Sequence, residues 1–208
     1  MTTNNEIQQR SDEWKLNRLG KFTASEIYKL MGVKGLGETG KTYAIEKAIE
    51  ELYGREEDGF VSKDMERGVH LEPLAFAKFH EIMSFKFIES KNCGFFVFGK
   101  SAGASPDGLV GEDAILEIKC PRNSTFFKLV ATNVIDDKYL YQMQMQMMAT
   151  GREKAYFFNY IIIDGVEFHH TIEIERDDSV IELMKERISE AEKIKEQFIN
   201  NINKNKQF

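Results

Sequence analysis

The chain has 208 residues, is 42% hydrophobic and carries sixteen phenylalanines, enough apolar material for a substantial core, so disorder is excluded. A formal net charge of −6 argues against loose, general coating of nucleic acid but not against a grip inside a local basic channel. No apolar run is long enough to span a membrane, and the polar start Met1-Thr2-Thr3-Asn4-Asn5 lacks a signal-peptide profile. At this length a single domain over residues 1–208 is expected, and Cys93 and Cys120, which make neither a CxxC pair nor a disulfide framework, point to a reducing cytoplasm.

In chain order, Asp12-Glu13-Trp14 opens a short turn. Thr23-Ala24-Ser25-Glu26 has the form of a capping box and predicts a helix through Met31. A glycine-rich connection, residues 32–40, leads to a helix from Thr42 to about Tyr53, with Ile45, Ala48, Ile49 and Leu52 as its apolar stripe. The next helix, from near Val61 to about Met83, is expected to be interrupted at Pro73, which leaves Glu72 at a kink or at the start of a new helix. Residues 93–98, 103–110 and 114–120 read as a β-meander. Residues 123–131 and 136–150 read as helices, although the alternation Gln142-Met143-Gln144-Met145-Gln146-Met147 also fits a strand. A hairpin over 155–174, turning at Asp164-Gly165, and an amphipathic helix over 179–202 complete an α/β fold with a mixed sheet.

Chemistry concentrates at Ser105-Pro106-Asp107 and, ten residues on, Glu117-Ile118-Lys119. On a hairpin over residues 103–120, alternation puts Glu117 and Lys119 on one face and Leu116, Ile118 and Cys120 on the other. Charges near a turn commonly form a solvated, weakly paired edge. Here Ala114-Ile115-Leu116 and Cys120-Pro121 frame them with apolar residues, and a buried strand carrying two charges needs a reason. A hard divalent ion supplies one, since Mg²⁺ takes one or two carboxylates and keeps positions open for water and phosphate. The pattern resembles that of the PD-(D/E)xK nucleases, which implies metal-assisted cleavage of a phosphodiester.

Two other patterns are weaker. Gly35-Leu36-Gly37-Glu38-Thr39-Gly40-Lys41-Thr42 fits GxxxxGKT, but a phosphate-binding loop needs a strand directly before it, and residues 25–31 read as helix. Ile161-Ile162-Ile163-Asp164 ends in hairpin-turn chemistry rather than a nucleotide site. His169 and His170 point to opposite faces of a strand, and His70 and His80 lack ligand spacing, so all four histidines read as structural.

Three more segments join the carboxylates. Arg67-Gly68-Val69-His70-Leu71-Glu72-Pro73-Leu74-Ala75 sets Glu72 amid apolar helix. Tyr139, Gln142 and Gln146 share one helical face. Arg18-Leu19-Gly20-Lys21-Phe22-Thr23-Ala24-Ser25 brings an arginine, a lysine and hydroxyls to a helix N-terminus, a combination suited to phosphate. With SPDGL, LEIKCP, YLYQMQ and AYFFNY following in order, the span 14–174 resembles the lambda-type phage exonucleases, recombination nucleases of the PD-(D/E)xK superfamily with a restriction-endonuclease-like core of a central mixed sheet flanked by helices.

That resemblance implies that Asp107, Glu117 and the Ile118 carbonyl bind Mg²⁺ or Mn²⁺, with Glu72 completing a second metal position. Lys119 would orient or deprotonate the attacking water, and Gln142 would help place that water or a metal. Arg18, Ser25 and Ser105 would hold the 5′-phosphate of a double-stranded DNA end. One strand would be degraded 5′→3′ by a homotrimeric ring, leaving a 3′ overhang for a single-strand annealing protein in a phage or prophage setting inside a bacterial host. The rival readings are a PD-(D/E)xK endonuclease and a non-catalytic recombination accessory protein. A repair nuclease with an Fe–S cluster needs four thiolates, which two cysteines do not supply.

Overall fold

The computed structural model describes residues 3–4, 9–55, 63–86 and 88–205. In chain order the elements are β1 (Thr3–Asn4), α1 (Asp12–Arg18), β2 (Phe22–Thr23), a 3₁₀ helix (Ala24–Leu30), α2 (Gly37–Tyr53), α3 (Lys63–Phe85), β3 (Ser90–Lys91), β4 (Phe95–Phe98), β5 (Ala102–Ala104), β6 (Gly108–Val110), β7 (Ala114–Lys119), α4 (Asn123–Thr132), α5 (Asp137–Thr150), β8 (Lys154–Ile163), β9 (Val166–Glu175) and α6 (Asp178–Asn205). A five-stranded sheet runs β3-β6-β7-β8-β9, and a smaller one runs β1-β4-β5-β2. The larger sheet is mixed: β7 and β8 are parallel and joined through α4 and α5, while its other neighbours are antiparallel.

The alternation of β7 divides the interior. Ile115 belongs to a core with Met143, Met147 and Phe157 on the α5 side, whereas Leu116 and Ile118 pack with Ala75, Phe79 and Phe158 on the α3 side. Strand β7 is thus covered on both faces, and Glu117 is 2% exposed. Residues Gln142 to Ala149 of α5 are all buried, which is why their period-two alternation does not make a strand: a helix enclosed all round needs no amphipathic period. Asp164 and Gly165 both have positive φ (50° and 80°), the geometry that suits a two-residue hairpin between β8 and β9. Among the described residues no helix is long and apolar enough to cross a membrane.

Several sequence expectations need correction. Residues 103–110 are not one strand: β5 and β6 lie in different sheets, and Ser105-Pro106-Asp107 crosses between them. Pro106 has no N–H for a ladder, so the break falls there. Pro73 does not interrupt α3, and Glu72 lies within the continuous helix. The lost bond and clash cost about 3 kcal/mol, offset by burying Phe79 and Met83 against the sheet at about 1.5–3 kcal/mol each. The expected start of this helix at Val61 lies outside the described residues.

The capping box does not form either. Thr23 is held in β2 beside Gly103, makes no cap bond and precedes a 3₁₀ helix rather than an α-helix, while Glu26 pairs with Lys29 at 2.8 Å. Helix α2 begins at Gly37, five residues earlier than Thr42 would place it. Its buried residues are Gly40, Tyr43, Ala44, Lys47, Ala48 and Glu50, with Ile45, Ile49 and Leu52 half-buried. Lys41 is therefore already helical and follows no strand, so the GxxxxGKT match cannot wrap a phosphate.

Candidate active site

Antiparallel pairing of β6 with β7 brings the two carboxylate-bearing segments together. The Asp107 backbone N–H donates to Leu116 O at 2.9 Å, and its side chain takes over where the ladder stops: Asp107 Oδ2 accepts the Ile118 N–H at 2.6 Å. Glu117 is enclosed by donors. Its Oε1 accepts from Lys119 Nζ and Gln142 Nε2, and its Oε2 accepts from Gln146 Nε2, each at 2.6 Å. Gln146, fully buried, also donates to the Ser105 carbonyl at 3.4 Å, and its Oε1 has no partner among the described residues. Because a carboxylate only accepts, these contacts fix which end of each glutamine amide faces Glu117.

The electrostatics are strained in one direction. Burial first, then the Glu117 and Glu72 carboxylates, raise the Asp107 carboxyl well above its ordinary range, against the opposing pull of Lys119 and the Ile118 N–H. Burial opposes the charge on Lys119, but Glu117 and Asp107 outweigh it and hold the ammonium above the usual lysine range. Its Nζ lies 4.9 Å from the Tyr139 ring centroid. Burial pushes the thiols of Cys93 and Cys120 up to about 12, with neighbouring carboxylates adding to it, so neither is a thiolate.

A cleft of about 880 Å³ opens beside this cluster, lined by Glu72, Ile118 and Lys119 among others. Arg10, Arg67, Arg122 and Lys138 join Lys119 in its wall, a local cationic surface in a chain of net charge −6. Glu72 pairs with Arg10 at 2.6 Å. Ser25 and Trp14 line the same cleft. Ser105 Oγ accepts the Trp14 indole N–H at 2.8 Å, and the Arg18 guanidinium stacks 4.1 Å from the Trp14 ring centroid. Arg18 closes α1 rather than opening a helix, and Lys21 turns instead toward Glu51 and Lys195.

The structure thus brings Asp107, Glu117, Lys119 and Gln142 into one contact network, with Glu72 close enough to act on Asp107, and links Arg18 to Ser105 through Trp14. Sequence reasoning did not single out Arg10, Trp14 or the bond from Gln146 to Glu117. The i, i+4 spacing of Gln142 and Gln146 was the one available signal for the last. His169 is exposed and stacks on Phe158, and His170 bonds Asn133.

The donor set suits a hard divalent ion. Burial and the neighbouring carboxylates raise the cost of ionising Asp107, which a cation would relieve. Among the described residues no three His, Cys, Asp or Glu side chains form a closed metal cluster. Asp107, Glu117 and the Ile118 carbonyl are the oxygen donors that could hold such an ion, which in the manner of Mg²⁺ would keep water in its other positions.

The YqaJ-like viral recombinase domain matches residues 13–153. No significant match was found among curated proteins. Among solved structures, the alkaline exonuclease LHK-Exo of Laribacter hongkongensis is 31% identical with a TM-score of 0.83, over 94% of this chain and 97% of that one. Its complex with dAMP is matched equally well, at 30% identity. A phage-related exonuclease of Haemophilus somnus 129PT shares the fold, at 19% identity and a TM-score of 0.66 over 88% of this chain and 96% of that one. With its carboxylate pair on a mixed sheet and this breadth of match, the chain belongs to the YqaJ-like viral recombinase family and has the fold of an alkaline exonuclease.

Proposed function

We propose that this chain is a divalent-metal-dependent 5′→3′ exonuclease, which digests one strand of linear double-stranded DNA and leaves 3′ overhangs for a single-strand annealing partner. The observation that carries the reading is the meeting of Asp107, Glu117 and Lys119 beside a cleft walled by five cationic side chains. The likeness to LHK-Exo, an alkaline exonuclease seen with a nucleoside monophosphate, supports it.

Asp107, Glu117 and the Ile118 carbonyl hold Mg²⁺ or Mn²⁺, and Glu72 serves a second position. When bound, the ion lowers the pKa of water and offsets charge developing on the phosphoryl group. The protein's own part is orientation. Glu117 accepts two bonds at Oε1 and one at Oε2, which leaves capacity for a cation at Oε2. Gln142 and Gln146 fix the plane of that carboxylate. Lys119, held as an ammonium by its acidic neighbours, orients the attacking water and the scissile phosphate. Arg18, Ser25 and Ser105 anchor the 5′-phosphate, and the cationic wall follows the strand. A homotrimeric ring closed around DNA supplies processivity that net charge cannot.

Digestion of linear duplex labelled at either end, and of closed circles, with Mg²⁺ and then with EDTA, tests the reading. Early release of 5′ label, intact circles and silence in EDTA are expected. Cut circles would make the chain an endonuclease, and no cleavage would make it an accessory protein.

A further inference from the structure

Helix α6 buries Ile181, Met184, Ile188 and Ala191, and the next position on that stripe is Lys195, only 3% exposed. An ammonium where the pattern calls for an apolar residue is costly to desolvate unless fully paired. Lys195 Nζ donates to the Gly20 carbonyl at 2.6 Å, contacts Ser101 Oγ at 3.4 Å and pairs with Glu51 Oε2 at 2.6 Å. From the other side, Glu50 Oε2 accepts the Gly20 N–H at 3.0 Å, and Glu50 Oε1 is held by buried Lys47 at 2.6 Å. Buried charges from α2 and α6 therefore close on one residue. Gly20 has φ +67°, and a Cβ there would meet Glu51 Cβ at 2.9 Å, so no other residue fits the turn.

The rest of the segment is held as firmly. Phe22 N–H donates to Ser101 O at 2.7 Å, and Thr23 N–H donates to the Tyr43 hydroxyl at 3.1 Å. At its ends stand Arg18, stacked on Trp14, and Ser25, in the cleft wall. Lys21, between them, is pulled below the usual lysine range by burial and then by Lys195, with Glu51 opposing.

We propose that this clamp makes Lys195 a positioning residue for the 5′ end of the DNA: the C-terminal helix sets the turn that aims Arg18 and Ser25, and so sets the preference for a phosphorylated end. The inference rests on the 5′-phosphate reading of that pocket. A purely structural pair could be replaced by apolar residues with little loss. A positioning pair could not.

The test is Lys195→Met in the whole chain with Mg²⁺, measured on duplexes with 5′-phosphoryl and 5′-hydroxyl ends. KM for phosphorylated ends should rise about tenfold, as for a displaced anchoring group, while kcat at saturating DNA stays near the parent value. The phosphate-to-hydroxyl preference should fall to that of Arg18→Ala, and the two changes together should lower it no further. Trp14 is the chain's single tryptophan, so its emission reports the pocket without turnover and should shift in the variant. Lys47→Met/Glu50→Met removes the clamp's other jaw without stranding a charge and carries the same expectations if Lys195→Met fails to fold. A variant that melts earlier yet keeps parental end preference and Trp14 emission overturns the clamp alone. A parent protein indifferent to the 5′-phosphate overturns the pocket, and the clamp's role with it.

Discussion

Glu117 and Glu72 are the two glutamates of the candidate site, and they are held in opposite ways. Glu117 is 2% exposed and, among the described residues, has three donors, all from β7 or α5, elements that pack against each other. Glu72 has an ion pair with Arg10 whose side chains are 27% and 47% exposed. The first carboxylate is pre-organised by the core, at the expense of burying charge. The second is held by a single ion pair at the surface, where solvent and ions compete for it. A site that needs one fixed ligand and one adjustable ligand can be built this way, with the fixed one on the strand.

If that contrast is right, disturbing the Glu117 side has the larger effect. Lys119→Ala should lower turnover about 10²–10⁴-fold in single-turnover digestion while DNA affinity by fluorescence anisotropy stays close to parental. Unimpaired digestion by this variant would break the comparison outright. Gln146→Leu removes the donor on Oε2 and should weaken Mn²⁺ binding about 10–100-fold, read by electron paramagnetic resonance titration without DNA.

A pH experiment sharpens the same point at Asp107. A carboxyl raised above its ordinary 3.8 contributes stability that is fully present below the unfolded value and is lost as pH rises through the folded value. In EDTA, the parent should melt lower at about pH 8 than at about pH 5, and Asp107→Asn should reduce that difference. An unchanged difference would place the pH dependence elsewhere. Least affected should be Arg10→Ala, where loss of an exposed pair changes stability by about 0–1 kcal/mol in thermal melts. A larger loss would mean that Glu72 is as fixed as Glu117.

The grouping of Asp107, Glu117 and Lys119 was legible because a strand's alternation is local: once residues 114–120 are a strand, residues 117 and 119 share a face. The mixed sheet, the 164–165 turn and the helical nature of 136–150 were legible for similar reasons. Pro73 misled because propensity is a weak local term, and the burial of Phe79 and Met83 that overrides it is tertiary. The strand assigned to 103–110 failed because pairing partners in two different sheets leave no mark on spacing. Trp14 with Ser105 and Arg10 with Glu72 are 91 and 62 residues apart, so nothing in either neighbourhood announces the other.

The same separations bear on how the molecule is made. The three hydrogen-bond donors named for the Glu117 carboxylate lie between positions 119 and 146, whereas the contact of Lys195 with Gly20 spans 175 positions. Closing so long a loop is entropically late, and in N-to-C synthesis Lys195 follows the Glu117 cluster by about fifty residues. The Glu117 cluster is thus complete in the chain before the residue that closes on Gly20. A chain nicked ahead of Lys195 would keep the hydrogen bonds to Glu117 and lose the clamp on Gly20.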